Sequence, residues 1–209
     1  MTRLWPAELR RGPLVLRPLS VRDKRAWEAV RARNADWLRP WDATLPPGAT
    51  DAPTTFRGMV RTLRSAGRAG TTLPFALEVE GHFRGQVTVG GIHLGSLRGG
   101  HVGYWIDRQV AGHGYMPMAV AMASDHCFGA GLHRIEINIR PENRPSIRVV
   151  EKLGFRYEGL RERYLHINGE WHDHLTFALT SEEVQTPLAE AFAARLAQNT
   201  PHQIPGEPR

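Results

Sequence analysis

At 209 residues, 41% hydrophobic and 23% charged, the chain is long enough to bury one sizeable core, and no break in composition argues for a second one. The net charge of +6 admits an acidic partner or a polyphosphate ligand, but all basic side chains except Lys24 and Lys152 are Arg, a skew that codon usage alone can produce. No basic run with interleaved aromatics suits nucleic acid, no stretch is long and apolar enough for a membrane span, and the one cysteine, Cys127, can form no internal disulfide; a cytoplasmic setting is expected.

Leu14 to Leu19 alternates like a first strand, and Ser20 with Asp23 has the spacing of a capping box for a helix carrying Ala26, Trp27, Val30 and Ala35. Trp37 and Trp41 follow around Arg39 and Asp42. They suit either the core of a short helix or the aromatic wall of an acceptor pocket, with Asp42 as a carboxylate for a peptide amine. A Pro- and Gly-containing loop ends near Pro53, and Phe56, Met59, Val60 and Leu63 give an amphipathic helix. Leu73–Val79 and Gln86–Ile92 read as antiparallel strands, with Gly90 and Gly91 marking a bulge or a close backbone approach. His101 to Ile106 is the next strand.

That strand runs into Gly112-His113-Gly114, and Pro117 then suits the first turn of a helix. Glycine lets the backbone approach a ligand closely, and the N–H groups at a helix start attract an anion, so the stretch is arranged to hold a phosphate. Met118 to Ala123 predicts a largely buried helix in which Cys127 is a small core residue. Ile135, Ile137 and Ile139 alternate with polar residues as a strand, Asn143 to Gly154 forms a helix, and Asn168-Gly169 joins the last two strands, Phe155–Leu165 and Glu170–Leu179, as a hairpin. Ser181 can cap a C-terminal helix over 181–198, packing on this domain or on a second subunit; the Pro-rich residues 199–209 read as a disordered tail.

The glycine stretch and the second stretch, Arg140 to Phe155, together resemble the GNAT acetyltransferase superfamily, and within it the RimJ/RimL group of protein Nα-acetyltransferases, over roughly Leu14 to Leu179. The resemblance implies an α/β (α+β) domain over residues 1–180, with a mixed, mostly antiparallel central sheet, splayed parallel strands and flanking helices. It also implies acetyl-CoA (coenzyme A) as donor. By it, the pyrophosphate loop falls on Ala111-Gly112-His113-Gly114-Tyr115-Met116, with Ala111 in place of the usual Gln or Arg and Met116 in place of a small residue. Backbone near Trp105 and Ile106 would contact the pantetheine, Asn143 would bond the pantetheine arm, and Ser146 would stabilise the leaving thiolate as catalytic residue. Asn143 and Ser146 also suit caps of the helix that follows. A Tyr acid, common in the superfamily, would fall on Val150, and the Glu that RimL-like enzymes place before the hairpin turn falls on Leu165.

The base is open among Glu162, Tyr104, His101, His172, Asp173 and His174. His166, His172 and His174 raise a zinc alternative without a clear carboxylate or thiolate partner, so no metal is expected. The implied acceptor is the N-terminal amine of a protein or peptide, such as a ribosomal protein's, with a monomer or homodimer as the assembly. A small-molecule amine is the rival acceptor. A non-catalytic acyl-CoA-binding or ribosome-associated module stays open because of Ala111 and Val150.

Overall fold

The sheet begins earlier than the alternation suggests. In the computed structural model, which describes residues 4–49 and 55–199, a short strand β1 (Leu9–Arg11) pairs with β2 (Leu14–Pro18), so Leu14 opens the second strand rather than the first. Two of the three β1 residues are arginines, which hides the strand from a hydrophobic pattern. Ser20 and Asp23 form the expected capping box, with the Ser20 N–H donating to Asp23 Oδ2 at 2.7 Å. The box closes a 3-10 turn that feeds α1 (Lys24–Arg33). A four-residue helix, α2 (Ala35–Leu38), and a 3-10 turn over Arg39–Trp41 follow. Trp27 and Val30 of α1 join Val60 of α3 (Phe56–Arg68) in a small apolar cluster on one face of the sheet.

Strands β3 (Leu73–Val79) and β4 (His82–His93) pair antiparallel, and β5 (Gly99–Ile106) follows. Pairing slips between Gly90 and His93, where Gly91 has a φ of +57° and a Cβ would lie 2.8 Å from the His101 ring. The close approach expected at these glycines is therefore to His101. After β5 come α4 (Tyr115–Gly129), β6 (Arg134–Ile139), α5 (Arg144–Leu153), β7 (Arg156–Ile167) and β8 (Glu170–Thr180). Eight strands lie in the order β1-β2-β3-β4-β5-β6-β8-β7, all neighbours antiparallel except β5 and β6.

That parallel pair positions the site. β5 and β6 pair only from Gly99 to His101 against Arg134 to Glu136. Beyond this, β5 stays with β4 as far as Ile106, and β6 stays with β8 as far as Ile139, so the two strands part and leave a wedge at their C-terminal ends. The splay implied by the resemblance is present. α4 and α5 both start at the open end of this wedge, and α4 is packed through its length by Met116, Ala119, Val120, Ala123 and Cys127. Burial pushes the Cys127 thiol up to about 12, which leaves it an inert core residue.

The C-terminal helix begins later than Ser181 suggests. Ser181–Glu183 is a 3-10 turn, and α6 (Leu188–Asn199) takes its cap from α4, where the Asp125 carboxylate accepts the N–H groups of Leu188 and Ala189 at 2.8 and 2.9 Å. Leu188, Ala189 and Phe192 enter the main core, so α6 packs on its own domain. The tail from residue 200 and the end of the loop at Pro53 lie outside the described residues. Among the described residues, no helix is long and apolar enough to cross a membrane.

Candidate active site

The loop between β5 and α4 is held from below by a residue the motifs do not mention. Asp107 is fully buried at the end of β5 and accepts hydrogen bonds from Arg33, from Asn34 Nδ2 at 2.9 Å, from Arg84 Nη1 at 3.0 Å and from the Gln109 N–H at 3.3 Å. Burial alone would raise its pKa, but the bonds from Arg33, Asn34 and Arg84 outweigh that and hold the carboxylate well below its usual range. Asn34 also accepts the Arg108 N–H at 2.9 Å, so the α1–α2 junction is stitched to the start of the loop.

From this anchor the chain makes a 3-10 turn at Arg108–Val110 and reaches Gly114, the N-cap of α4, at a φ of +82°. Met118 N–H is bonded back to Gly114 O, while the N–H groups before it at the helix start have no intrahelical partner and are available to an anion. Where a Cβ would stand on Gly112 there is open space.

The loop forms one end of a cleft of about 740 Å³. Trp105, Ile106, Gly112, Gly114, Met116, Asn143 and Ser146 all line it. His113 and Tyr115 are not among the lining residues; their rings stack on each other. Arg108, Arg148 and Lys152 line the cleft and add positive charge that the motifs did not single out.

Ser146 sits on the first turn of α5, behind Asn143, whose Oδ1 accepts the Ser146 N–H at 3.2 Å. Asn143 is therefore both a cap and a wall of the cleft. The Ser146 hydroxyl lies 2.7 Å from the Tyr104 hydroxyl. Burial pushes the Tyr104 phenol up, against a smaller opposing effect of Ser146, so Tyr104 keeps its proton and cannot be the base considered for it. Val150, at the position of the superfamily's Tyr, is fully buried in the core, and a phenol instead reaches this end of the cleft from β5.

The opposite wall is α2 and the following turn. Trp37 and Trp41 are half-buried and both line the cleft, so they are not core residues; Leu38 between them is the buried residue. Arg108 stacks over Trp37 at 5.4 Å and Arg140 over Trp41 at 5.6 Å, while Arg140 also donates to Pro40 O. Asp42 does not line the cleft: it pairs with Arg31, and the carboxylate at the cleft is that of Asp36. Thr44 ties the wall to the β7–β8 hairpin through a 2.8 Å bond to His166 Nδ1. His166 is thus committed to Thr44. Among the described residues, no three His, Cys, Asp or Glu side chains are grouped to hold a metal ion.

The family model described as the acetyltransferase (GNAT) domain matches residues 13–156. The chain belongs to the GNAT acetyltransferase family. It is similar to the structure of Mycobacterium smegmatis RimJ in complex with CoA-disulfide, at 39% identity and a TM-score of 0.85, covering 93% of this chain and 97% of that one. It is 28% identical to the ribosomal protein uS5-alanine N-acetyltransferase of Escherichia coli, over 78% of this chain and 86% of the relative. A 38% match to the probable N-acetyltransferase YjcK of Bacillus subtilis covers 47% of this chain and only 55% of that protein's length. This GNAT chain is thus an acetyltransferase, related to the RimJ/RimL-like enzymes, and its donor is acetyl-CoA. The residues present fit that donor: a helix start and the cations Arg108, Arg148 and Lys152 line the cleft and suit phosphates, and Trp105, Ile106, Met116 and Val149 give it a largely apolar lining.

Proposed function

We propose that the enzyme acetylates the N-terminal α-amine of a protein, such as a ribosomal protein, using residues 1–180 as its catalytic domain. The observation that carries this reading is the wall of Trp37 and Trp41 with Asp36 beside it, opening onto the Ser146 end of the cleft. Aromatic faces hold an extended peptide and a carboxylate suits its ammonium group. The likeness to the uS5-alanine enzyme of E. coli supports the same acceptor class.

Acetyl-CoA supplies an activated acetyl carbonyl and a thiolate leaving group. Gly114 and the start of α4 would hold its phosphates, and Asn143 would bond the pantetheine arm. Ser146 would direct a proton toward the sulfur, and Tyr104 holds the Ser146 hydroxyl from behind across their 2.7 Å bond. Ser146→Ala and Tyr104→Phe should each lower kcat by about 10- to 100-fold, and the double variant should fall little further because the two act as one unit. Coenzyme A affinity should stay within about threefold. Loss of that affinity in step with kcat would remove the proton role.

The acceptor is tested by intact-mass analysis after incubation with acetyl-CoA. The substrates are an alanine-initiated peptide with free or blocked N-terminus, an aminoglycoside and free alanine. Acetylation of the free peptide alone is expected. Acetylation of a small amine with neither peptide modified would overturn the protein-acceptor reading.

A further inference from the structure

A second, smaller recess of about 70 Å³ adjoins the cleft and shares Trp41, Asn143 and Ser146 with it. It is lined by His174 of β8, a buried imidazole that none of the loop or helix motifs uses. We propose that this recess receives the acceptor's amine and that His174 Nε2 takes its proton. The inference rests on amine acetylation, not on whether the amine belongs to a protein.

Three observations lead there. Of the six groups first considered as base, Tyr104 lines the cleft and His174 lines the recess, while Glu162, His101, His172 and Asp173 line neither. Tyr104 holds its proton, Asp173 accepts the Arg163 N–H at 2.7 Å, and His101 sits under Gly91 near the paired end of the parallel strands. The tautomer of His174 also follows from its contacts. Its Nδ1 lies 3.0 Å from the His172 carbonyl, which can only accept, so Nδ1 carries the hydrogen and Nε2 offers its lone pair. Finally, burial holds the imidazole below its ordinary value, opposed by the His172 carbonyl and helped by the Arg140 charge, which favours the neutral form with its Nε2 lone pair free. The charged or titratable groups around it are Arg140, His172, Asp173, Arg161 as its cross-strand partner and Tyr164, whose ring is 5.7 Å away.

The step balances with these groups alone. The amine nitrogen forms a bond to the acetyl carbonyl carbon, and the C–S bond breaks with its electron pair on sulfur. The bound ammonium gives its first proton to His174 Nε2 before the N–C bond forms, and its second passes after attack through the Ser146 hydroxyl, held by Tyr104, to the departing sulfur; His174 then releases its proton to solvent. One amide and one thiol result.

An α-amine has a pKa of about 8, so without an enzymic base kcat would fall below that pH in step with the amine's protonation. With His174 as base, the acidic limb of kcat lies below about 6.5, the unperturbed imidazole value. His174→Gln should lower kcat at pH 7 by at least tenfold and move the limb up to that of the amine, with coenzyme A affinity unchanged. His174→Asn, which can still donate to the His172 carbonyl, should do the same. The wild type gives an answer that needs no variant. The amine is whichever the intact-mass assay shows to be acetylated, the alanine-initiated peptide or the small amine, paired with its fluorinated analogue of lower amine pKa. A limb that stays in place between the two is expected; a limb that follows the amine, or a variant whose pH profile keeps the wild-type shape, would overturn the assignment.

Discussion

Gly114→Val should weaken coenzyme A binding by at least tenfold and lower unfolding stability by about 2 kcal/mol. Space is not the reason. A Cβ at Gly114 would lie 3.7 Å from Leu196 Cδ1 and 3.9 Å from Phe192 Cζ, which are ordinary contacts with α6. The reason is the φ of +82°, a left-handed conformation that costs a β-branched residue of order 1–3 kcal/mol. Valine can escape only by turning the peptide planes at the start of α4. That turns the first N–H groups away from the cleft, and a tenfold loss corresponds to about 1.4 kcal/mol of binding. Gly154→Val separates strain from ligand binding. Gly154 has a φ of +77° at the far end of α5, with nothing within 4 Å of a Cβ, so it should cost similar stability and leave affinity within about twofold. Calorimetry of coenzyme A binding and thermal unfolding of both variants check this. Unchanged affinity in Gly114→Val would remove the loop's role in holding phosphate.

What was legible in the sequence was local. Gly112 and Gly114 precede the helix they start, Asn143 and Ser146 share one turn, and Asn168-Gly169 carries the two positive φ values of its hairpin within the dipeptide. What was not legible depends on partners far apart in the chain. Asp107 looks like an ordinary strand end, and its partners Arg33 and Asn34 stand 74 and 73 residues earlier. The start of α6 was misplaced for the same reason, because its cap is Asp125, 63 residues before Leu188, and not the nearby Ser181. Trp37 and Trp41 were ambiguous in the sequence since helical spacing serves a core or a wall equally. Arg108 and Arg140, which hold their rings over the cleft, come from other elements. Among the base candidates, six similar side chains could be sorted only once the splay of β5 and β6 showed which of them faces the cleft or its recess.

Asp107→Asn should cost about 3 kcal/mol of stability near neutral pH, the lower end for breaking a buried ion pair. The lower end applies because Arg33, at 36% side-chain exposure, can recover water, while Asp107 itself has none. Asparagine keeps one acceptor for Arg33 or Asn34 but leaves two guanidinium groups without a counter-charge. The sign of the pH dependence follows from the direction of the shift. The folded-state pKa of Asp107 lies far below its unfolded value of about 3.9. Its stabilisation is therefore fully present above that value and is lost as pH falls toward the folded pKa. Wild type and variant should thus differ by a constant amount from pH 5 to 8 and converge in stronger acid. The cofactor loop should respond as well, since Asp107 accepts the Gln109 N–H and fixes Asn34, which accepts the Arg108 N–H. Coenzyme A affinity should drop about threefold to tenfold with the α4 glycines intact, the size expected for one or two loosened hydrogen bonds. Denaturant unfolding at pH 7 and at acid pH, with calorimetry on the folded variant, measures both. A loss below about 1 kcal/mol, no more than one ordinary hydrogen bond contributes, would mean that the loop is held by its glycines and by α4 rather than by this buried carboxylate.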